Sequence, residues 1–471
     1  MKKDFLYGVG TSASQIEGAY AVDGKGLSMA DLLPANKEKR FSCVQDGSFA
    51  LANYDTQQEY YPTHNAIDFY HTYKDDIRLL AGLGINSIRI SIMWSRIFPT
   101  GEENEPNEAG LTFYKSVVDE CLKYGLEPIV TISHFDIPVH LIKKYGGWAS
   151  RKMIDAYLKL CQVLFTTFKN KVHYWITFNE INMILHLPFV GGGLCFKEGE
   201  NKEQKMYQAA HYQLVASSAA TNLAHQIDPK NNIGCMLAAG EVYPFSCNPD
   251  DILAALQKNR EQYFFSDIQV RGYYPSYARE LFDQKQIKLD ILPEDNEILK
   301  NTVDFVSLSY YSSRCVSVDP KVQQNITNGN AFASVKNPYL DVSDWGWQID
   351  PVGFRITLNN LYDRYQKPLM VVENGLGAMD KLTSEQEVHD TYRIDYLQKH
   401  LSALQDSQKD GVDLIGYMAW SGIDSVSAST GEMSKRYGFL YVDYDNSGQG
   451  SGKRVKKDSY FWFKNWLTKN S

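Results

Sequence analysis

The sequence predicts an α/β barrel of eight parallel strands, each followed by a helix, and three observations carry that prediction. Short apolar runs recur along the chain, amphipathic helical patterns lie between them, and several of the runs end in polar residues. Runs of six to eight residues with nearly continuous hydrophobicity suit strands buried on both faces. Eight of them alternating with helices point to a closed (β/α)8 barrel rather than an open sheet. A chain of 471 residues fits one such catalytic domain, residues 1–471, with long loops after the strands.

The elements follow in order. The first run is 5–10, and a long segment, about 11–86, separates it from the second, 87–92. The third is 128–133. After it Ile154, Tyr157, Leu158, Cys161, Leu164, Phe165 and Phe168 recur at helical spacing. The fourth run is 174–180 and the fifth 232–239, followed by a second long segment, about 240–303. The sixth is 304–311. In the third long segment, about 312–367, Asp350-Pro351 supplies an N-cap and a first-turn proline ahead of Leu358, Leu361, Tyr362 and Tyr365. The seventh run is 368–375. Ser384 and Glu387 have capping-box spacing ahead of a helix to about Leu404, and the eighth run is 414–421. The three long segments are expected to carry extra loops and helices at the mouth of the barrel.

Composition narrows the function classes. A net charge of −8 and a pI near 5.7 argue against a nucleic-acid binder. Aromatics reach 13% of the chain, with 31 Tyr, 22 Phe and 8 Trp, which suits flat rings against sugar faces as well as an aromatic core. The opening MKKDFLYGVG has two lysines but no apolar stretch of signal-peptide length, and no window approaches 18 consecutive apolar residues. Seven scattered cysteines without a C-x-x-C pair read as reduced thiols, and the expected location is cytoplasmic. Gly8-Val9-Gly10 with Ala13 mimics a dinucleotide fingerprint, with Asp31 some way on, but residues 14–40 supply no second strand to end at that acid. No metal-ligand spacing is evident, and no cofactor is expected. The sequence leaves a homodimer open.

The polar residues at the strand ends carry the chemistry. They are Arg89 in SIRISIMW, His134 in TISHFDIP, Asn179-Glu180 in ITFNE, Tyr310 in SLSYY, Glu373-Asn374 in MVVENG, and Trp420. In a barrel these ends converge on one mouth. Two carboxyl groups about 5–5.5 Å apart hydrolyse a glycosidic bond with retention, one protonated and one ionised. A carboxylate near Arg89 would keep a low pKa and serve as nucleophile. The other, among aromatics and beside that charge, would be raised and act as the acid.

At these residues the chain resembles the family-1 glycoside hydrolases over essentially its whole length, through TSASQIEG, TFNE, ENG and WSGID in the family's order. The resemblance implies Glu180 as general acid/base and Glu373 as nucleophile. It further implies that Gln15, His134 and Asn179 bind hydroxyls of the glycone, that Arg89 and Tyr310 orient the nucleophile, and that Trp420 underlies the sugar ring. Trp345 and Trp347 are expected beside the aglycone, with core packing open for one of them.

One departure bears on the substrate. Most family members acting on plain sugars have a Glu-Trp pair seven and eight residues after the platform tryptophan, and here those positions are Ser427 and Ala428. A carboxylate there would repel a phosphate on O6, whereas a hydroxyl can donate to it. The stretch resembles the phosphate loop of 6-phospho-β-glycosidases, which assigns Ser429, Lys435 and Tyr437 to a phosphate, with Ser427 the other candidate serine. Ala428, where relatives preferring 6-phosphogalactosides tend to carry Trp, favours a phosphorylated β-glucoside.

Overall fold

The computed structural model describes residues 5–327 and 334–470; residues 1–4, which open the N-terminus read above, lie outside it. Eight parallel strands close into a barrel: β1 (Leu6–Gly10), β2 (Ser87–Ser91), β3 (Glu127–Ser133), β4 (Tyr174–Phe178), β5 (Asn232–Ala239), β6 (Phe305–Tyr310), β7 (Leu369–Asn374) and β8 (Leu414–Trp420). Each pairs with the next in sequence, and Gly10 pairs with both Trp420 of β8 and Arg89 of β2, closing the ring. All eight predicted runs are strands. Helices Lys152–Thr167 and Pro351–Tyr365 form where the spacing predicts them, and the Asp350 side chain accepts the Gly353 N–H as N-cap.

Strand side chains alternate between the barrel axis and the surrounding helices. The lower interior is filled by Ile129, Ile176, Met236, Phe305, Met370, Val372 and Met418, with Leu6 and Tyr174 against them. The same alternation turns Ser309 inward on β6 and sends Val306, Leu308 and Tyr310 outward. A bulge breaks the rule once, to functional effect. In the β6–β7 ladder Leu308 faces Val371, but Ser309 faces Glu373, so Val372 is an extra residue. Met370 and Val372 already point inward, and the bulge turns Glu373 inward as well. The glycine of ENG answers to a close approach: a Cβ on Gly375 would lie 1.8 Å from the Trp420 carbonyl oxygen.

Two expectations are corrected. The Ser384–Glu387 capping box does not form, because the Glu387 N–H bonds the Thr383 hydroxyl in a turn and the helix begins at Thr391, running to Lys409. Asp390 precedes that helix, its carboxylate held by Arg393 and Ser459. The segment 240–303 meets the rim through a short strand, Val242–Pro244, paired with Arg314–Val316, but does not line the cavity. Its long helix, Pro249–Arg271, packs on the outside of the barrel against β5, and the segment contributes no residue to the cavity described below. Among the described residues no helix is long and apolar enough to cross a membrane.

Candidate active site

A cavity of about 620 Å³ opens at the C-terminal end of the strands, with Glu180 and Glu373 both in its wall. Its floor is organised by Arg89. This guanidinium is fully buried on the axis, with every nitrogen engaged. Nε donates to Thr131 at 2.9 Å, Nη1 to the Glu373 carboxylate at 2.5 Å, and Nη2 to the Asn179 amide oxygen at 2.7 Å. It therefore ties β2, β3, β7 and the end of β4 together. A charge-assisted bond of this kind, shielded from water, is strong and fixes geometry.

The other Glu373 oxygen accepts a 2.7 Å hydrogen bond from Tyr311. This corrects the reading of Tyr310. The Tyr310 hydroxyl donates to the Asp350 carbonyl at 2.7 Å and its ring packs on Phe354, centroids 5.0 Å apart, on the outer side of the barrel. Strand alternation decides between the neighbours: Phe305 points in, so Ser307, Ser309 and then Tyr311 follow it, while Tyr310 faces out. Asn374 is likewise structural, bonded to the Tyr310 carbonyl and to the hydroxyls of Tyr396 and Tyr417.

Glu180 follows β4 in a left-handed conformation (φ 39°), a strained setting for a non-glycine residue and one found at functional sites. Its carboxyl accepts a hydrogen bond from Ser309. Burial, followed by the nearby Glu373 charge, pushes its pKa up to about 8, against the opposing pull of Ser309 and Arg89. The acids are anchored two residues apart, Glu180 by Ser309 of β6 and Glu373 by Tyr311 just beyond its end, so their anchors stand about 7 Å apart along the chain.

Gln15, His134, Asn179 and Trp420 line the same cavity. Gln15 donates one amide hydrogen to the Val426 carbonyl at 2.7 Å, leaving the other to donate and its oxygen to accept. Burial and the Arg89 charge hold His134 well below the usual imidazole range, so it is neutral. Its ring stacks near Trp420, 6.2 Å between centroids.

Ser427, Ser429, Tyr437 and Trp347 line the cavity near Trp420. The two serine hydroxyls lie 3.4 Å apart. Arg40 holds this loop by donating to the Ala428 carbonyl at 2.7 Å, while Arg436 fixes its far side through Asp424 and the Val442 carbonyl. Lys435 is 1% exposed, and its ammonium has no hydrogen-bond partner among the described residues. It lies 4.2 Å from the Trp347 ring centroid, 5.7 Å from that of Trp345 and 5.9 Å from that of Tyr437. Burial lowers its pKa to about 8. Lys435, Arg436 and Tyr437 are thus buried, the Lys435 ammonium enclosed by aromatic rings.

Sequence reasoning missed Ser309 and Tyr311, which counting alternate positions from Phe305 identifies. It also missed helix Lys37–Gln45, whose Lys37, Phe41 and Val44 line the cavity beside Met183, Leu187 and Val190, the helix packing on Pro188–Gly192. Nothing local in the sequence places that helix over the barrel.

Known proteins bear on this geometry. The chain is 50% identical to "6-phospho-beta-glucosidase AscB" of Escherichia coli (strain K12), covering 99% of this chain and 98% of the relative. It is 50% identical to "Aryl-phospho-beta-D-glucosidase BglH" of Bacillus subtilis (strain 168), covering 99% and 97%. A "6-phospho-beta-galactosidase" of Clostridium acetobutylicum is 34% identical, covering 98% and 96%. Among solved structures, the "Family 1 b-glucosidase from Thermotoga maritima" superposes with a TM-score of 0.83 at 31% identity, covering 100% of this chain and 98% of that one. The profile of "Glycosyl hydrolase family 1" matches residues 1–471. With this barrel, this pair of glutamates and that match, the chain belongs to glycosyl hydrolase family 1.

Proposed function

We propose that the protein hydrolyses 6-phospho-β-D-glucosides with retention of configuration, through a covalent glycosyl-enzyme. The observation that carries the phosphate is the buried, unpartnered Lys435 ammonium beside Tyr437, in a loop where hydroxyls of Ser427 and Ser429 stand in place of a carboxylate. An isolated buried ammonium is costly, and a phosphate dianion is the partner that relieves it. Two relatives at 50% identity carry phospho-β-glucosidase names, against 34% for the phosphogalactosidase. That contrast and the small, exposed Ala428 favour the gluco sugar.

In the first step Glu373, aligned by Arg89 and Tyr311, attacks the anomeric carbon while Glu180 protonates the departing oxygen. A carboxyl with a pKa of about 8 holds its proton at neutral pH, as an acid must. Once Glu373 becomes an ester its negative charge is gone, Glu180 becomes easier to ionise, and it can draw the proton from an incoming water. Asn179, held by Arg89, presents its amide N–H2 to the sugar hydroxyl nearest the reacting carbon.

The test compares p-nitrophenyl β-D-glucoside 6-phosphate with the unphosphorylated glucoside and the 6-phosphogalactoside. Turnover is expected on the first, little on the second, and less on the third than on the first. Equal rates with and without phosphate would remove the phosphate assignment and leave the hydrolase. Retention is read separately, from the anomer first released in proton NMR.

A further inference from the structure

An acid/base residue has to exist in two forms during one turnover, as COOH and as COO⁻, and a buried one needs a neighbour that suits both. Glu180 is half-buried just beyond β4, its carboxyl in the cavity wall, and among the described residues its side-chain hydrogen bond runs to Ser309. Ser309 is 1% exposed, and its Oγ also lies 3.4 Å from the Leu237 carbonyl oxygen of β5. We propose that Ser309 is a positioning residue that serves both protonation states of Glu180 by rotating its hydroxyl. When Glu180 is a carboxylate, Ser309 donates to it. When Glu180 holds the proton, Ser309 turns its own hydrogen to the Leu237 carbonyl and leaves the proton of the acid free for the departing oxygen. No bond other than a hydrogen bond changes, and the proton count is the same on both sides. The inference rests on the acid/base reading of Glu180 above.

The neighbouring residue Tyr311 shows why a hydroxyl with a second acceptor matters. Its phenol donates to Glu373, which passes from carboxylate to ester and back without carrying a proton, so a one-way donor suffices there. Arg89 is also a one-way donor, and among the described residues its hydrogen bonds go to Glu373, Asn179, Thr131, the Val372 carbonyl and the Met236 sulfur, none to Glu180. Had a cation taken the place of Ser309, the ionised form would be favoured throughout and the acid would be lost at neutral pH. An apolar residue there would leave the carboxylate form without its donor. The charged groups facing Glu180 are Glu373, which raises its pKa, and Arg89, which lowers it; Ser309 works with Arg89.

The experiment follows kcat against pH for methyl β-D-glucoside 6-phosphate, whose poor leaving group needs the proton of residue 180, in wild type, S309A, S309C and S309T. With substrate bound, Lys435 faces the phosphate and its titration is drawn out of the window. Removing a donor to the ionised form makes that form less favourable, so S309A is expected to move the alkaline limb upward by about one pH unit. S309C, a weak donor of similar volume, should fall between, and S309T should stay within a few tenths of wild type. An S309A or S309C limb superimposed on that of wild type would overturn the role of Ser309. The underlying reading is checked by E180Q in the first step alone, where the pre-steady-state formation of the glycosyl-enzyme should be abolished for the methyl substrate and spared far more for a 2,4-dinitrophenyl leaving group. If E180Q affects both substrates equally, it is the acid/base assignment that has failed.

Discussion

The floor of the cavity and the loop beside it are built on opposite terms. On the floor, Arg89 donates from every nitrogen, and Glu373 has partners on both oxygens. In the loop, the Lys435 ammonium, the Thr430 hydroxyl and one Glu432 oxygen are buried without partners among the described residues. A saturated network fixes geometry before substrate arrives, which is what attack on a carbon requires. An unsaturated one stores interactions for a ligand to complete. On the proposed function, the floor serves the chemistry and the loop the recognition.

Removing the nucleophile should break the floor most severely. E373G is expected to lower kcat on the order of 10⁴-fold or more, with added azide restoring turnover as the glycosyl azide of inverted configuration. Substituting its holder costs stability as well as rate. R89M leaves the Glu373 carboxylate buried without its cation, a change that typically costs about 3–5 kcal/mol, and urea unfolding should show it.

The loop should respond in the contrary sense. K435M removes an unpaired buried charge, so the protein should become more stable while binding phosphorylated substrate worse. Losing one charge-assisted bond, about 1.5–3 kcal/mol, corresponds to a KM raised roughly 10- to 100-fold, with kcat on an unphosphorylated glucoside unchanged. The pH sign follows from the same group. Its pKa is about 8 when folded and 10.5 as an ordinary lysine, so the unfolded chain binds the extra proton between those values and stability rises with pH across that window. The gain is about 3 kcal/mol at most, and K435M should lack it. A variant that loses stability instead would mean that Lys435 has a partner in solution, and the contrast between floor and loop would fall.

The sequence made the barrel legible because buried strands and amphipathic helices repeat with fixed periods, and all eight runs proved to be strands. Glu180, Glu373, Arg89 and Asn179 were legible as polar residues at strand ends, where a core has no use for them, and Ser427 and Ser429 through the resemblance to a phosphate loop. What stayed hidden depends on contacts distant in the chain. Helix Lys37–Gln45 reaches the mouth because Arg40 binds the Ala428 carbonyl, 388 positions away. The Val372 bulge, which aims Glu373, exists only in the pairing of β6 with β7. The missed capping box shows the local limit: Ser384 and Glu387 have the right spacing, yet the Asp390 contacts to Ser459 set the helix start.

The smallest predicted effects come from two adjacent tyrosines, and they test whether alternation along β6 assigns function. Tyr310 and Tyr311 are chemically identical and each makes one 2.7 Å hydrogen bond through its hydroxyl. Y310F removes a neutral bond to the Asp350 carbonyl outside the barrel, so it should cost about 1 kcal/mol of stability and leave kcat/KM near wild type. Y311F removes a donor from the nucleophile. It should lower kcat roughly tenfold while barely moving the unfolding midpoint, because the phenol faces a cavity that water can enter. Burial and the Glu373 charge hold the Tyr311 phenol well above its ordinary pKa, so it remains a donor throughout the working pH range and its loss should be independent of pH. The opposite pattern, with activity following Tyr310, would mean that β6 is shifted by one residue in solution. Such a slip would also turn Ser309 away from Glu180, so the tyrosine pair and the serine variants report on the same register by independent readouts.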